Sequence, residues 1–123
     1  MEPVKSKRIL VVDDDEISRS TLADLFEDEG YDVAVANDGL VAEAMLSSYD
    51  PHLVVTDLVM PGLDGLGLAR RIAQSGRGLP VIIVSSHSTA EIERLAAEVG
   101  ARGFIRKPIA FADLLELVQS VLA

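Results

Sequence analysis

The sequence contains no cysteine and only two histidines. Without thiols the chain has no disulfide, no thiolate nucleophile and no cysteine-ligated zinc or iron–sulfur cluster. The two imidazoles, those of His52 and His87, are too few for a histidine-rich metal site. Any metal site in this chain is therefore expected to use oxygen ligands.

Basic residues are also scarce, with 11 Lys and Arg against 20 Asp and Glu and a net charge of −9. This balance argues against a nucleic-acid-binding surface, because phosphate backbones attract the opposite sign. It is compatible with a site that holds a divalent cation. No apolar run approaches the roughly 18 residues of a membrane helix, and the N-terminus lacks the apolar segment of a signal peptide. We expect a cytoplasmic domain with no nucleic-acid or membrane partner.

The length of 123 residues predicts a single domain, since domains commonly contain roughly 100–200 residues. Hydrophobic residues make up 49% of the chain, which is enough for a substantial core. Residues 1–7 are expected to form an N-terminal leader and residues 8–123 the folded domain.

Short apolar runs bounded by turn residues predict five strands. Three of them, Ile9–Val12, Leu53–Val55 and Val81–Val84, are unbroken and typical of strands buried on both faces of a parallel sheet. The weaker runs Val33–Ala36 and Gly103–Ile105 are expected at the edges of the sheet.

Helical periods alternate with these strands. The predicted inward stripes are Leu22, Leu25 and Phe26; then Leu40, Val41, Ala44 and Met45; then Leu66, Ala69, Ile72 and Ala73; then Ile92, Leu95, Ala96 and Val99; and finally Phe111, Leu114, Leu115, Val118 and Leu122. Leu117 and Val121 are apolar but are expected off the last stripe. Asp38 and Asp64 are predicted N-caps, Ser88 and Glu91 have capping-box spacing, and Gly100 is expected to end the fourth helix. Five β-α units predict an α/β fold with a doubly wound parallel sheet and right-handed crossovers.

Polar side chains follow four of the five predicted strands. In an open parallel sheet, ligands bind outside the carboxyl ends of the strands, so these side chains are expected to converge. They are Asp13, Asp14 and Asp15 after the first strand, Thr56 and Asp57 after the third, Ser85 and Ser86 after the fourth, and Arg106 and Lys107 after the fifth.

Three converging carboxylates need a compensating charge. Two unit charges about 4 Å apart repel by roughly 4 kcal/mol at an effective dielectric near 20. Oxygen ligands with open positions suit Mg²⁺, and a metal beside Lys107 and Ser85 would be arranged to receive a phosphoryl group. The carboxylate of Asp57 could be the nucleophile and form an acyl phosphate.

Each of these residues also has a simpler interpretation when taken alone. A run of aspartates before a helix commonly serves as a cap, and Asp15 is better suited to capping the first helix than to binding metal. Asp57 alone could form a turn, and Lys107 with Pro108 could be a surface loop. Their joint occurrence at the ends of neighbouring strands favours the phosphoryl site.

These residues and their surroundings resemble the response regulator receiver domains of two-component signalling. The resemblance covers nearly the whole chain, from about Lys7 to the last helix. The motifs that carry it are Ile-Leu-Val-Val-Asp-Asp-Asp ending at Asp15, Thr56-Asp57-Leu-Val-Met-Pro-Gly, Val84-Ser85-Ser86 and Gly103-Phe-Ile-Arg-Lys107-Pro108. The resemblance implies a flavodoxin-like fold with five helices and strand order 2-1-3-4-5.

The resemblance also implies roles for particular residues. Asp57 would accept a phosphoryl group from a histidine kinase or a histidine phosphotransfer protein, without the domain being a turnover enzyme. Mg²⁺, or Mn²⁺ in its place, would be held by Asp13, Asp14, Asp57 and the Val59 carbonyl. Phosphoryl oxygens would contact Ser85, Ser86 and Lys107, and Lys107–Pro108 would be a cis peptide. Phe104 would change rotamer as Ser85 moves and so switch the face formed by the fourth helix, fifth strand and fifth helix, which is also the hypothesised dimer surface.

Three positions depart from the family pattern or leave it open. Phe104 is often Tyr in the family, so the role of that hydroxyl is missing here. Val59 and His87 occupy positions that tune dephosphorylation, and Val cannot orient an attacking water as an amide could. The phosphoryl lifetime is therefore not fixed by the sequence.

Two alternatives from other classes remain. An aspartyl-phosphate hydrolase also has a nucleophilic Asp after a central strand, but it needs a second Asp where this chain has Val59. The other alternative is a receiver that is never phosphorylated and acts only as a binding module. For a receiver domain, the output domain or target protein is expected outside this sequence, which is either a stand-alone receiver or the receiver of a longer protein.

Overall fold

The computed structural model describes residues 6–87 and 89–123, which form a five-stranded parallel sheet with five helices. The strands are β1 (Arg8–Val12), β2 (Asp32–Ala36), β3 (Leu53–Asp57), β4 (Val81–Ser85) and β5 (Gly103–Arg106). The helices are α1 (Glu16–Asp28), α2 (Gly39–Tyr49), α3 (Gly65–Gln74), α4 (Ala90–Glu98) and α5 (Phe111–Leu122). The order β2-β1-β3-β4-β5, with every pair parallel, confirms the predicted fold and both edge strands.

The core has two layers, one on each face of the sheet. Because successive side chains of a strand point to opposite faces, the residues of β1 alternate between the layers. Leu10 and Val12 pack with α2, α3 and α4, whereas Ile9 and Val11 pack with α1 and α5. All four are fully buried, which confirms that the central strands are covered on both faces.

Aspartate side chains begin three of the helices, as the sequence predicts. Asp15, Asp38 and Asp64 each accept a hydrogen bond from the backbone N–H three residues later, at 2.7–2.8 Å. Such caps satisfy N–H groups that have no partner within the helix. In the part of the chain that the structure describes, no helix is long and apolar enough to cross a membrane.

Two predictions fall outside the described residues. Residues 1–5 of the expected leader are among them, so the boundary after residue 7 stays a prediction. Ser88, predicted to form a capping box with Glu91, is the other. The neighbouring Thr89 is the N-cap of α4 and accepts a hydrogen bond from a backbone N–H of its first turn.

The predicted inward stripe of α2 is wrong. Leu40 and Val41 are 55% and 43% exposed, and Ala44 is exposed as well. Of the predicted stripe only Met45 packs partly against the core, and the buried residues are Gly39, Ala42 and Leu46. The cause is a close approach at Gly39, where a Cβ atom would lie 2.1 Å from the carbonyl oxygen of Leu63. This contact turns Gly39 and Ala42 inward and leaves Leu40 and Val41 toward solvent.

Four residues on other helices also differ from the predicted pattern. Phe111 at the start of α5 is 43% exposed, and Ala73 of α3 is exposed. Leu117 and Val121, which were expected off the stripe, are half-buried against the layer formed by α1 and α5. Leu117 fits there because it lies over Gly103, where a Cβ atom would be 2.4 Å from the leucine Cδ2.

Candidate functional site

The end of β1 places two carboxylates at the carboxyl edge of the sheet. Asp13 is buried, and its backbone N–H continues the ladder by donating to the Ala36 carbonyl (3.1 Å). Its Oδ1 accepts a hydrogen bond from the Asp15 N–H (2.9 Å), which folds the loop back on itself. Asp14, between them, is exposed at the rim.

Asp57 is the last residue of β3, the central strand. Its Oδ1 accepts a hydrogen bond from the Leu58 N–H (2.8 Å), and the hydroxyl of buried Thr56 donates to its carbonyl oxygen (2.9 Å). Helix α3 begins against this strand end, since a Cβ atom on Gly65 would lie 2.4 Å from the Asp57 carbonyl oxygen. A glycine is therefore required at that position for the loop to close over Asp57.

The structure brings Asp13, Asp14 and Asp57 into one cluster. Each offers a carboxylate oxygen, and the three atoms lie within 4.8 Å of one another. Hard oxygen donors on one open rim fit Mg²⁺, which prefers oxygen ligands and retains several waters. The donor chemistry thus fits the ion that the family implies.

Lys107 brings a positive charge to the same cluster. Its Nζ lies 3.6 Å from Asp13 Oδ2 and 3.7 Å from Asp57 Oδ2. Its backbone N–H donates to the Ser85 carbonyl (2.9 Å), which ties the loop after β5 to β4. The peptide bond between Lys107 and Pro108 is cis, as predicted.

The surroundings of Asp57 raise its pKa above the ordinary value. Burial is the largest cause, and the negative charges of Asp13 and Asp14 act in the same direction. The Lys107 ammonium and the hydrogen bond from Leu58 oppose them. The carboxylate is therefore more basic than a solvated aspartate.

Ser85 and Ser86 differ in their surroundings. Ser85 is fully buried, and its hydroxyl oxygen accepts a hydrogen bond from the His87 N–H (2.9 Å). Ser86 is exposed, with its hydroxyl 3.5 Å from His87 Nδ1. Among the hydrogen bonds of residues 6–87 and 89–123, none joins either hydroxyl to the carboxylate cluster.

Val59 and Phe104 are the residues predicted to bind metal through a carbonyl and to change rotamer, respectively. Val59, two residues after Asp57, is 53% exposed at the rim. Phe104 lies within β5 opposite Ile83 and packs partly against the core layer formed by α2, α3 and α4. Their assigned roles in metal binding and switching stay predictions.

Arg19 of α1 joins the site although no motif in the sequence predicts a role for it. Its Nη1 donates to the backbone carbonyl of Asp13 at 2.9 Å, in a partly buried position. The only signal in the sequence is spacing, because Arg19 lies four residues after Asp15 and so on the same face of the helix.

The response regulator receiver domain model matches residues 9–119 of the chain. Response regulators named MprA are 35% identical, over 117 residues in Mycobacterium bovis and over 115 residues in Mycobacterium avium. These alignments cover 95% and 94% of this chain but 51% and 50% of the relatives. The chain thus spans about half the length of the curated relatives it matches.

Solved structures show the same similarity. A response regulator receiver protein from Pseudomonas putida superposes with a TM-score of 0.89 at 32% identity, covering 96% of this chain and 99% of that one. A receiver domain protein from Methanospirillum hungatei superposes with a TM-score of 0.90 at 29% identity, covering 96% and 94%. With the family model spanning nearly all of the sheet and helices, the chain belongs to the response regulator receiver domains of two-component systems.

Proposed function

We propose that this receiver domain accepts a phosphoryl group on Asp57 in a magnesium-dependent reaction. The observation that carries the proposal is the cluster of Asp13, Asp14 and Asp57, whose oxygens lie within 4.8 Å of one another beside Lys107. The donor is a phosphohistidine of a histidine kinase or a histidine phosphotransfer protein. A carboxylate oxygen of Asp57 bonds to phosphorus while the phosphorus–nitrogen bond to the donor imidazole breaks, giving an acyl phosphate.

The surroundings of Asp57 suit it to act as a nucleophile. Its raised pKa makes the ionised carboxylate more basic, and basicity favours attack on phosphorus. The Leu58 N–H holds Oδ1, and Lys107 faces Oδ2, so the group is oriented before the donor arrives. Fixed orientation lowers the entropy that must be lost on reaching the transition state.

Mg²⁺ would be held by Asp13, Asp14, Asp57 and the backbone carbonyl of Val59, with Mn²⁺ as a substitute. When bound, the ion offsets the charge of the carboxylates and of the incoming phosphoryl oxygens. All of the protein ligands proposed for it are oxygens from the last residue of β3 and from the loops that follow β1 and β3.

The phosphoryl oxygens would be received by Lys107, Ser85 and Ser86. Lys107 already faces Asp57, and its ammonium can pair with one oxygen. The Ser85 hydroxyl accepts from the His87 N–H through its oxygen, so its own proton is free to bond a second oxygen. Ser86 follows Ser85 and is exposed, and its hydroxyl is proposed to contact the phosphoryl group from the solvent side.

Phosphorylation would then shift an equilibrium of the face formed by α4, β5 and α5. Ser85 pairs in register with Arg106, and the Arg106 Nε donates to Glu93 of α4 at 3.0 Å. A movement of Ser85 toward the phosphoryl group would therefore shift β5, including Phe104, and through Arg106 and Glu93 it would shift α4. This face is proposed to contact an output domain or target protein, and a second copy of the domain as a dimer.

The domain is proposed to act as a signalling phosphoacceptor and not as a hydrolase that turns over substrates. The hydrolase alternative needs an acid or base two residues after the nucleophile, where Val59 presents an exposed apolar side chain. The chemistry proposed for the receiver domain is limited to phosphorylation and dephosphorylation of Asp57.

Incubation with a small phosphodonor and Mg²⁺ tests the proposal. Intact-mass spectrometry should show one added phosphoryl group, which should be absent with EDTA and absent in Asp57→Asn. The matched control is Asp24→Asn, which neutralises an exposed aspartate of α1 and should be modified like the wild type. An unchanged mass, or a group still added to Asp57→Asn, would overturn the assignment.

Metal binding separates the proposal from the unphosphorylated receiver. At free Mg²⁺ about 100 times its Kd, linkage predicts roughly 2.7 kcal/mol of added stability. A melting temperature that does not change when Mg²⁺ is added would favour a receiver that acts only as a binding module.

A further inference from the structure

Arg19 connects α1 to the backbone of the carboxylate loop. Its side chain reaches from the second turn of the helix to the carbonyl of Asp13, where Nη1 and the oxygen are 2.9 Å apart. The N–H of Asp13 is held on its other side by the Ala36 carbonyl (3.1 Å). Both polar groups of the Asp13 main chain are therefore fixed, one by the sheet and one by Arg19.

The residues after Asp13 are restrained as well. The Asp15 N–H donates to Asp13 Oδ1 (2.9 Å), and Asp15 Oδ2 accepts from the Ser18 N–H (2.8 Å) as the cap of α1. Asp14 lies between these anchors with an exposed side chain. Its carboxylate takes its direction from the loop conformation that Arg19 and the Asp13 side chain hold together.

We propose that Arg19 is a positioning residue for the metal-binding carboxylates. By holding the Asp13 carbonyl, it keeps the Asp13–Asp15 loop in the conformation in which Asp13 and Asp14 face Asp57. The proposal rests on the magnesium-dependent function proposed above. It concerns the geometry of the ligands and gives Arg19 no contact with the phosphoryl group.

Charge and positioning predict opposite effects of Arg19 on magnesium affinity. The Arg19 guanidinium lies against the Asp13–Asp15 loop, with its Nη1 2.9 Å from the Asp13 carbonyl oxygen, so its positive charge is close to the proposed ligands. A positive charge repels a cation, and removing it should tighten magnesium binding. Loss of positioning should weaken binding, because the ligands must then be ordered when the ion arrives. The sign of the change therefore distinguishes the two effects.

Isothermal titration of the full chain with Mg²⁺ measures that sign. Arg19→Ala should raise the Kd for Mg²⁺ about tenfold. Arg19→Lys retains the charge and one donor, so it should recover part of the affinity, and it replaces the alanine variant if that variant does not fold. Arg70→Ala is the control, because it removes an exposed arginine of α3 and should leave the Kd unchanged.

A merely structural role gives a different result. In that case thermal unfolding without Mg²⁺ would show a lower melting temperature for Arg19→Ala while the magnesium Kd stayed at the wild-type value. An unchanged or lower Kd in Arg19→Ala overturns the positioning role and leaves Asp57 phosphorylation standing. Failure of the wild type to bind Mg²⁺ overturns both this proposal and the proposed function.

Discussion

The two ends of the sheet differ in how far their polar and charged groups are paired. At the amino end, donors and acceptors are matched: the Arg8 N–H donates to His52 Nδ1 (2.9 Å), and the Arg8 Nε donates to the Asp50 carbonyl (2.9 Å). Arg77 donates to the Leu46 carbonyl (3.0 Å) at the C-terminal end of α2. At the carboxyl end, three carboxylates cluster together, and the Lys107 ammonium forms ion pairs with two of them, Asp13 and Asp57.

Unmatched charge marks the proposed site better than cavity size does. A cavity of about 370 Å³ lies at the amino end, lined by residues that include Asp50, His52 and Arg77. Those side chains already have partners from the folded chain. At the other end, Lys107 offsets the charge of the carboxylates only in part, and the proposed magnesium ion would supply the rest.

The largest expected effect is on phosphorylation. Lys107→Ala removes the ammonium that faces both Asp13 and Asp57, and loss of one preorganised charge at a reacting group commonly costs about 100-fold or more in rate. The initial rate of phosphoryl incorporation from a small phosphodonor, measured at saturating Mg²⁺, should fall by that order.

The matched variant at the amino end is Arg8→Ala. It removes a cation that donates hydrogen bonds to Asp50, so it should lower the melting temperature while the rate of phosphorylation stays within about twofold of the wild type. If Lys107→Ala and Arg8→Ala lowered the rate of phosphorylation equally, the two ends of the sheet would not differ in function as proposed.

A smaller effect concerns the stability of the metal-free protein as a function of pH. Burial raises the folded-state pKa of Asp57 above its ordinary value of 3.8, so the folded protein retains this proton at a pH where the unfolded chain has lost it. The contribution to stability is full below 3.8 and is lost as pH rises through the folded-state pKa. Asp57→Asn avoids this loss, and its stability relative to the wild type should increase from acidic to neutral pH by about 1 kcal/mol.

Urea unfolding in EDTA, followed by circular dichroism across that pH range, measures the difference. Asp24→Asn is the control, since an exposed aspartate should give no comparable trend. A relative stability of Asp57→Asn that falls toward neutral pH would show that Lys107 and Leu58 outweigh burial at this carboxyl.

The smallest expected effect is on the free energy of unfolding, for a substitution at the amino end of the sheet. Asp50→Asn breaks the ion pair with Arg8, whose atoms are 3.4 Å apart, while the Asp50 side chain is 76% exposed. Exposed pairs of this kind contribute about 0.5 kcal/mol or less, and Asn tolerates the left-handed conformation that Asp50 adopts at φ 55°. Chemical denaturation that revealed a loss well above 1 kcal/mol would show that this end, too, depends on single charges.

The fold was predictable because its strong signals are local. The runs Ile9–Val12 and Val81–Val84 are short, β-branched and apolar at every position, which is typical of a strand covered on both faces. The stripe of α2 was not predictable, because the orientation of that helix depends on Gly39 touching the backbone of Leu63, 24 positions away in sequence. A hydrophobicity pattern weighs Leu40 and Val41 above glycine and so selects the wrong face.

The candidate site shows the same division. Asp13, Asp57 and Lys107 were predictable, since each follows a strand and the carboxyl ends of parallel strands share one edge. Arg19 was not, because a side chain that donates to a backbone carbonyl leaves no residue-type pattern at its acceptor. The hydrogen bond that the Ser85 hydroxyl oxygen accepts from the His87 N–H was equally unpredictable from the sequence.

The sequence by itself determined which elements form, in what order, and which charged residues arrive at one rim, because periodicity and strand-end position depend on neighbouring residues alone. Tertiary structure decided the rotation of α2, the burial of Leu117, the clamp of Arg19 on Asp13 and the raised pKa of Asp57. Each of these depends on distances between segments far apart in the chain, and such distances are fixed only when the two core layers pack against the sheet.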